Sequence, residues 1–147
     1  MIVVQTEPFE LADYQAWLAD DPMCGAIATF LGLVRNHNEG DAVTGLALEH
    51  YPGMTEKALA SIVQEAKSRW ELGRVAVVHR VGALKVGEPI VFVGVASVHR
   101  QAAFEACAFI MDYLKTRAPF WKKEAVAGGE RWVEARTSDA EAAQRWG

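Results

Sequence analysis

The chain has 147 residues, 51% of them hydrophobic and 23% charged, and its 15 lysines and arginines against 19 acidic residues give a net charge of −4. This length predicts one domain, residues 1–147, whose core needs neither a disulfide nor a metal. No run approaches the roughly 18 apolar residues of a membrane span, no signal segment is present, and the acidic balance disfavours nucleic acid as a partner. With only Cys24 and Cys107, and no histidine at metal-ligand spacing, we expect a soluble cytoplasmic protein without a metal site.

The first half of the chain predicts short strands around one clear helix. Strands are expected at residues 2–6, 24–34 and 43–51, and a brief helix at residues 11–18. The polar run 35–41 contains Asn and Gly and predicts a loop. Pro52-Gly53 opens a second helix, which Gly73 is placed to end. Its expected buried stripe is Leu59, Ile62, Val63, Ala66 and Trp70.

The second half predicts two strands, a long helix and a hairpin. The strands are residues 74–81, with Val75, Val77, His79 and Val81 on one face, and residues 90–98. The helix covers residues 100–116, and its expected stripe is Phe104, Cys107, Ala108, Met111 and Leu114. Gly128-Gly129 joins the strands 120–126 and 131–135, and a last helix, 138–146, has Ser138 as its cap. Because strands and helices do not alternate strictly, we expect an α+β fold with a mixed, largely antiparallel sheet and flanking helices.

One window of the sequence is strongly cationic. Residues 113–123 contain Lys115, Arg117, Lys122 and Lys123 and no acid, a local charge of +4 in an acidic chain. Clustered cations attract an anionic ligand or an acidic chain terminus. Phe120 and Trp121 interrupt the cations, and burial beside aromatic rings would lower the pKa of a lysine and make it a usable base or nucleophile. The alternative is a set of ordinary solvated surface lysines.

Two further places carry polar groups at the ends of strands. Ser97-Val-His-Arg100 ends a strand and starts a helix, where free amides, His99 and Arg100 could hold a phosphate. An ordinary helix cap with a solvated arginine explains the same residues. Arg35-Asn-His-Asn38 follows an apolar strand and is either a binding loop or a polar surface turn.

Four segments carry a resemblance to a known family. They are FLGLVR at residues 30–35, LEHYPGM at 48–54, SVHR at 97–100 and MDYLKTRAPFWKKE at 111–124. Together they resemble the large, catalytic subunit of molybdopterin synthase, in the same order from about residue 2 to Trp146. The second and fourth segments are long and unusual in composition, which makes the resemblance specific.

The resemblance implies an α/β hammerhead fold and a sulfurtransferase of molybdenum cofactor biosynthesis. Such an enzyme converts a cyclic pyranopterin monophosphate into molybdopterin by building its dithiolene. The sulfur comes from the C-terminal thiocarboxylate of a small ubiquitin-like partner ending in Gly-Gly, so no cofactor is implied. Two large subunits form the central homodimer of a heterotetramer. The absence of a recognisable protein nucleophile agrees with sulfur supplied from outside.

The resemblance also implies roles for individual residues. Lys115 and Lys122 match the catalytic lysines. The positions that match substrate-binding residues are Leu33, Val34, Arg35, His99, Arg100, Lys123, Glu124 and Arg136. A different hypothesis remains open, in which the same cations form a non-catalytic module that binds a phosphorylated ligand or a protein C-terminal tail. A weaker one is nucleic-acid binding through Trp121 and its neighbouring lysines, against which the net acidity counts.

Overall fold

The structure, a computed structural model, describes residues 1–134 and 136–147. Its helices are α1 (Leu11–Ala19), α2 (Met54–Arg69), α3 (Arg100–Arg117) and α4 (Thr137–Gln144). Its strands are β1 (Ile2–Gln5), β2 (Ala26–Leu33), β3 (His37–Asn38), β4 (Asp41–His50), β5 (Leu72–Arg80), β6 (Gly82–Lys85), β7 (Pro89–Ser97), β8 (Phe120–Val126) and β9 (Gly129–Val133). No helix in these two ranges is long and apolar enough to cross a membrane.

The strands form two sheets. The first has the order β1-β5-β7-β2, in which β1 runs parallel to β5 and the other neighbours are antiparallel. The second has the order β3-β4-β8-β9, with β6 also paired to β4, and all its pairs are antiparallel. The predicted α+β class and the predominance of antiparallel pairing are confirmed.

Helices cover both faces of the first sheet. α2 and α3 pack on the side where Val77 and Val93 point, and α1 packs with Leu18 against Ala76 and Phe92 on the other side. The central strands are therefore apolar on both faces, as a doubly covered sheet requires. A separate apolar cluster joins the two sheets, and it consists of Val34, Leu46, Leu48, Val81 and Leu84 with Val4, Ile90 and Phe120 packed against it.

Several local predictions are wrong. α2 ends at Arg69, and Gly73 lies in β5, where a Cβ would approach the Cys24 Sγ to 2.5 Å. Gly73 thus permits close packing and does not end the helix. Ser138 does not cap α4, which begins one residue earlier after Arg136 and has no side-chain cap. The predicted loop 35–41 includes the short strand β3, and the sequence pattern missed β6 altogether.

The predicted buried stripe of α3 is also partly wrong. Phe104 is 65% exposed, whereas the buried face includes the small residues Ala103 and Ala106 together with Phe109. Cys107 and Leu114 are buried as predicted. The predicted final hairpin forms between β8 and β9, but β9 is Gly129–Val133 and so begins two residues before the predicted strand 131–135, whose last residue, Ala135, lies outside the described residues.

Candidate active site

Three cations from separate parts of the chain meet where the two sheets join. Lys115 lies in the last turn of α3, Lys122 lies on β8, and Arg35 lies two residues after the end of β2. Pro119 prevents α3 from continuing and turns the chain into β8, whose pairing with β4 sets Lys122 opposite Leu48. Val34, Leu48 and Phe120 pack in one apolar cluster, which brings the end of β2 close to the start of β8 and the end of α3.

The pKa of Lys122 records this proximity, since it is lowered from the usual 10.5 to about 8. Burial of the ammonium group is the largest cause, and repulsion from Lys115 is the next. Arg35 acts in the same direction, while Asp139 opposes the shift. At neutral pH Lys122 still carries most of its positive charge, yet its proton can leave within a pH range compatible with enzyme turnover.

These three cations lack the ion pairs that other cations of the chain form. Arg117 pairs with Glu65 at 2.8 Å, Arg145 with Asp112 at 2.9 Å, and the buried Arg80 with Glu88 at 3.1 Å. Within residues 1–134 and 136–147, no salt bridge involves Lys115, Lys122 or Arg35. Such a group of cations at the junction of the sheets is suited to an anion with several oxygen or sulfur atoms.

A neutral histidine lies beside the cations. His79, only 4% exposed, stacks on Phe120 with ring centroids 3.8 Å apart, and its Nδ1 donates a hydrogen bond to the Arg80 carbonyl at 2.8 Å. The pKa of His79 is lowered from 6.5 to about 4, mainly by burial and also by repulsion from the neighbouring Lys122 and Lys115. The sequence placed His79 on an apolar strand face but gave it no role. Its only signal was one polar residue in a run of valines.

Because His79 is buried in its neutral form, the free energy of unfolding should depend on pH. The unfolded chain binds a proton at about 6.5 and the folded chain only at about 4, so stability is fully present above pH 6.5 and decreases as the pH falls between these values. The loss over this window is roughly 3 kcal/mol. Urea unfolding at pH 7 and pH 4.5 measures it, with His79→Asn as the comparison, because Asn keeps a donor for the Arg80 carbonyl. An equal pH dependence in both proteins would contradict the assignment.

The cationic window of the sequence divides between two surfaces. Lys115 and Lys122 lie close together near Arg35, whereas Arg117 turns to Glu65 and lies over the Tyr113 ring. Lys123 follows Lys122 on β8 and so points to the opposite face of the sheet. There it contacts Glu130 at 3.3 Å and the Trp132 ring. The structure therefore does not place the Lys123 side chain on the same face as Lys115 and Lys122.

The other residues implied by the resemblance differ in their surroundings. Leu33 is exposed beside Arg35, whereas the side chain of Val34 is buried in the cluster between the sheets. Glu124 is buried and bonded to Asn38 and Arg131. Arg136 donates to the Asn38 Oδ1 at 2.7 Å, which places its guanidinium on the loop that carries Arg35.

Within one chain, His99 and Arg100 lie far from Lys115 and Arg35. They occupy the start of α3 and Lys115 its last turn, and 15 residues of helix between Arg100 and Lys115 span about 22 Å. Along the first sheet they sit beside the Ala26 end of β2, since Ala26 pairs with Ser97, while Arg35 follows the Leu33 end. A single chain therefore presents two separate cationic places.

Neither cysteine is suited to act as a nucleophile. Burial raises the pKa of Cys107 to about 11. The pKa of Cys24 is also raised, by burial and by its hydrogen bond to the Asp21 carboxylate. Both cysteines are therefore protonated near neutral pH, and the nucleophilic form of a cysteine is the thiolate.

The fold and the site define an α+β protein in which three cations without salt bridges among the described residues lie beside a buried, neutral histidine. The family described as MoaE protein matches residues 4–117. Over 145 residues the chain is 64% identical to the molybdopterin synthase catalytic subunit of Escherichia coli (strain K12), covering 99% of this chain and 97% of that relative. The chain belongs to the MoaE protein family.

Solved structures agree with this membership. The molybdopterin biosynthesis MoaE protein from Burkholderia ambifaria MC40-6 is similar with a TM-score of 0.85 and 51% identity, covering 99% of this chain and 97% of that one. A complex of subunits 1 and 2 of the molybdopterin-converting factor from Helicobacter pylori 26695 matches with a TM-score of 0.76 over 92% of this chain and 91% of that one. At 19% identity, the second likeness concerns the fold alone.

Proposed function

We propose that this chain is the catalytic subunit of a molybdopterin synthase, an enzyme of molybdenum cofactor biosynthesis that acts in the cytoplasm. It transfers sulfur from the C-terminal thiocarboxylate of a small ubiquitin-like partner, ending in Gly-Gly, to a cyclic pyranopterin monophosphate. Two transfers build the dithiolene, and no resident cofactor takes part. The name of the Escherichia coli relative, with its 64% identity, supports the proposal.

The observation that carries the proposal is the cluster of unpaired cations formed by Lys115, Lys122 and Arg35. Both proposed ligands, a cyclic phosphate and a thiocarboxylate, are anions, and both need positive charge that the protein has not already neutralised. The raised pKa values of Cys24 and Cys107 agree with a reaction in which the sulfur belongs to the donor tail.

The proposed roles of the lysines follow from their surroundings. Lys122, half-buried on β8 and still mostly charged at neutral pH, orients the thiocarboxylate and stabilises the charge that develops on it. Lys115, exposed at the end of α3, assists proton transfer at the substrate carbon that the sulfur attacks. Each transfer forms a carbon–sulfur bond on the pterin side chain while a carbon–oxygen bond at that carbon breaks, and the displaced oxygen leaves as water or remains on the opened phosphate. Water then cleaves the acyl–sulfur bond, which leaves the sulfur on the pterin and a carboxylate on the spent donor. The intermediate stays bound while a second donor replaces the first.

The pocket is completed, in this proposal, by a second copy of the chain. β2 lies at the edge of the first sheet, and its exposed side chains include Phe30 (42% exposed) and Leu33 (50% exposed), which favours pairing with another strand. A two-fold axis through the middle of β2 would pair it antiparallel with its copy. Since Ala26 and Leu33 are at opposite ends of β2, this symmetry brings His99 and Arg100 of one copy towards Arg35 of the other.

Direct detection of the product tests the proposed function. The purified chain is incubated with the cyclic pyranopterin monophosphate and the thiocarboxylated small subunit, and the dithiolene is measured after oxidation to a fluorescent pterin. We expect about two donor tails to be converted to carboxylates for each product molecule, because each sulfur comes from one tail. Tight binding of either ligand without product would instead identify a non-catalytic binding module.

The pKa of Lys122 sets the expected pH dependence of the reaction. If its ammonium group binds the thiocarboxylate, kcat/KM for the donor falls by about tenfold per pH unit above pH 8, since this ratio reports the free enzyme. Lys122→Arg keeps the charge throughout this range and should remove the decline, even if its maximal rate is lower. A rate that instead rises through pH 8 in the unmodified chain would make Lys122 a base and overturn the proposed role.

A further inference from the structure

A buried polar network connects β8 with the loop that carries Arg35. Its centre is Glu124, a carboxylate only 7% exposed on the strand that also carries Lys122. The Glu124 Oε1 accepts hydrogen bonds from the Asn38 Nδ2 at 3.0 Å and from the Arg131 Nε at 3.2 Å. A buried carboxylate without such partners would be strongly unfavourable, so these contacts must form whenever the strand and the loop are folded.

Asn38 is the part of the network that belongs to the loop. It is 6% exposed. Besides its donation to Glu124, its Oδ1 accepts from Arg136 at 2.7 Å and its carbonyl accepts from the Arg131 Nη2 at 3.0 Å. With a donor on one side and an acceptor on the other, the amide has a single orientation that satisfies both.

The backbone around Asn38 is equally restricted. β3 and β4 are joined by a two-residue turn in which Glu39 has φ 53° and Gly40 φ 83°, the positive values of a tight hairpin. The Val43 N–H donates to the Asn36 carbonyl at 2.9 Å. On the other side of Arg35, the Val34 N–H donates to the Glu88 carbonyl at 3.0 Å. Arg35 therefore lies between two fixed points, the Val34–Glu88 hydrogen bond and the β3–β4 hairpin. Glu124 holds the hairpin in place through Asn38.

We infer that Asn38 and Glu124 are positioning residues, which act through Arg35 and do not contact the substrate. Glu124 and Lys122 are two residues apart on one face of β8, so the bond from Glu124 to Asn38 sets the Arg35 loop at a defined place relative to Lys122. The Glu124 charge is compensated by Arg131, which leaves the positive charge of the pocket available to its ligand. This inference rests on the proposed function and changes the implied role of Glu124 from substrate contact to support.

The network predicts that the effect of an Asn38 substitution on kcat/KM depends on the presence of Arg35. Asn38→Ala removes both side-chain hydrogen bonds and should lower kcat/KM for the pterin substrate by about 10- to 100-fold, the cost of a small misplacement of a binding group. In the Arg35→Ala background the same change should cost less than about twofold, because there is no longer a guanidinium to position. Arg35→Lys is the background if Arg35→Ala leaves no measurable rate.

A matched control separates positioning from a general loss of structure. Asp41→Asn removes an exposed carboxylate that also contacts Arg131, at 2.6 Å, but leaves Asn38 and Glu124 joined. We expect less than about a twofold effect on kcat/KM. Thermal unfolding of every variant shows whether the chain remains folded, and Glu124→Gln, which keeps an acceptor for Asn38, should retain more activity than Glu124→Ala.

The outcomes distinguish this inference from the proposed function. Dithiolene formation by the unmodified chain tests the function alone, and its absence would remove the basis of both. With an active enzyme, an Asn38→Ala effect of equal size with and without Arg35 would overturn the positioning role. An active enzyme that is insensitive to Asn38→Ala would do the same.

Discussion

Replacing Lys115 with alanine should lower the rate of dithiolene formation by about a thousandfold, the size expected when a group that transfers a proton is lost. The side chain lies at the end of α3 and forms no salt bridge in the part of the chain that the structure describes, so its removal breaks no ionic contact there. Binding of the small subunit should be nearly unchanged. Single-turnover product formation and the dissociation constant of the thiocarboxylated partner measure the two effects separately.

Arg117 provides the control for this prediction. It is a cation two residues further along the same helix end, but it pairs with Glu65 and lies over Tyr113, away from the pocket. Arg117→Ala should leave the rate within about twofold of the original value, since an exposed ion pair contributes little. Near-normal product formation by Lys115→Ala, or an equal loss in both variants, would contradict the proposed role of Lys115.

Mixing two inactive variants should restore activity if each pocket is shared between two chains. Arg100→Ala alone should reduce kcat/KM by about 100-fold through the loss of a phosphate contact, and Lys115→Ala is inactive for the reason above. In a mixed dimer one pocket carries both changes and the other carries neither. Random pairing gives half mixed dimers with one intact pocket each, and therefore about a quarter of the original activity.

The restoration must depend on exchange of subunits. It should appear only after the two proteins are unfolded and refolded together or co-expressed, and a mixture of Lys115→Ala with Lys122→Ala should not recover. Those two residues belong to the same chain's pocket, so no combination of these chains provides both. Recovery in the second mixture, or its absence in the first, would contradict a pocket completed by His99 and Arg100 of a second copy.

Local patterns predicted the elements well where the chemistry is local. The strand 90–98 and the helix 100–116 correspond to β7 and α3 within one or two residues. The error at Phe104 has a physical cause: α3 approaches the sheet closely through Ala103 and Ala106, so the small residues are buried and the large ring is left outside. Periodicity alone favours the larger residue, and the true phase depends on how the helix packs.

The site shows the same division between local and long-range information. The charge window and the resemblance predicted Lys115 and Lys122, which the structure brings together. Asn38 fell within a candidate binding loop, but its contact with Glu124 could not be predicted, because it joins residues 86 positions apart and depends on the pairing of β4 with β8. His79 was equally hidden, since only the stacking with Phe120 places it beside Lys122. The separation of Arg100 from Lys115 also required the structure, because sequence motifs carry no distances.

The protonated state of the two cysteines predicts how an isotopic label on the donor sulfur is carried into the product. With a pKa of about 11, Cys107 has a thiolate fraction of only about one in ten thousand at pH 7. Sulfur passing through the pocket would then not exchange with sulfur of the chain. A donor tail labelled with a heavy sulfur isotope should give a dithiolene with the same isotopic enrichment, turnover after turnover, whatever the thiol–disulfide balance of the surrounding medium.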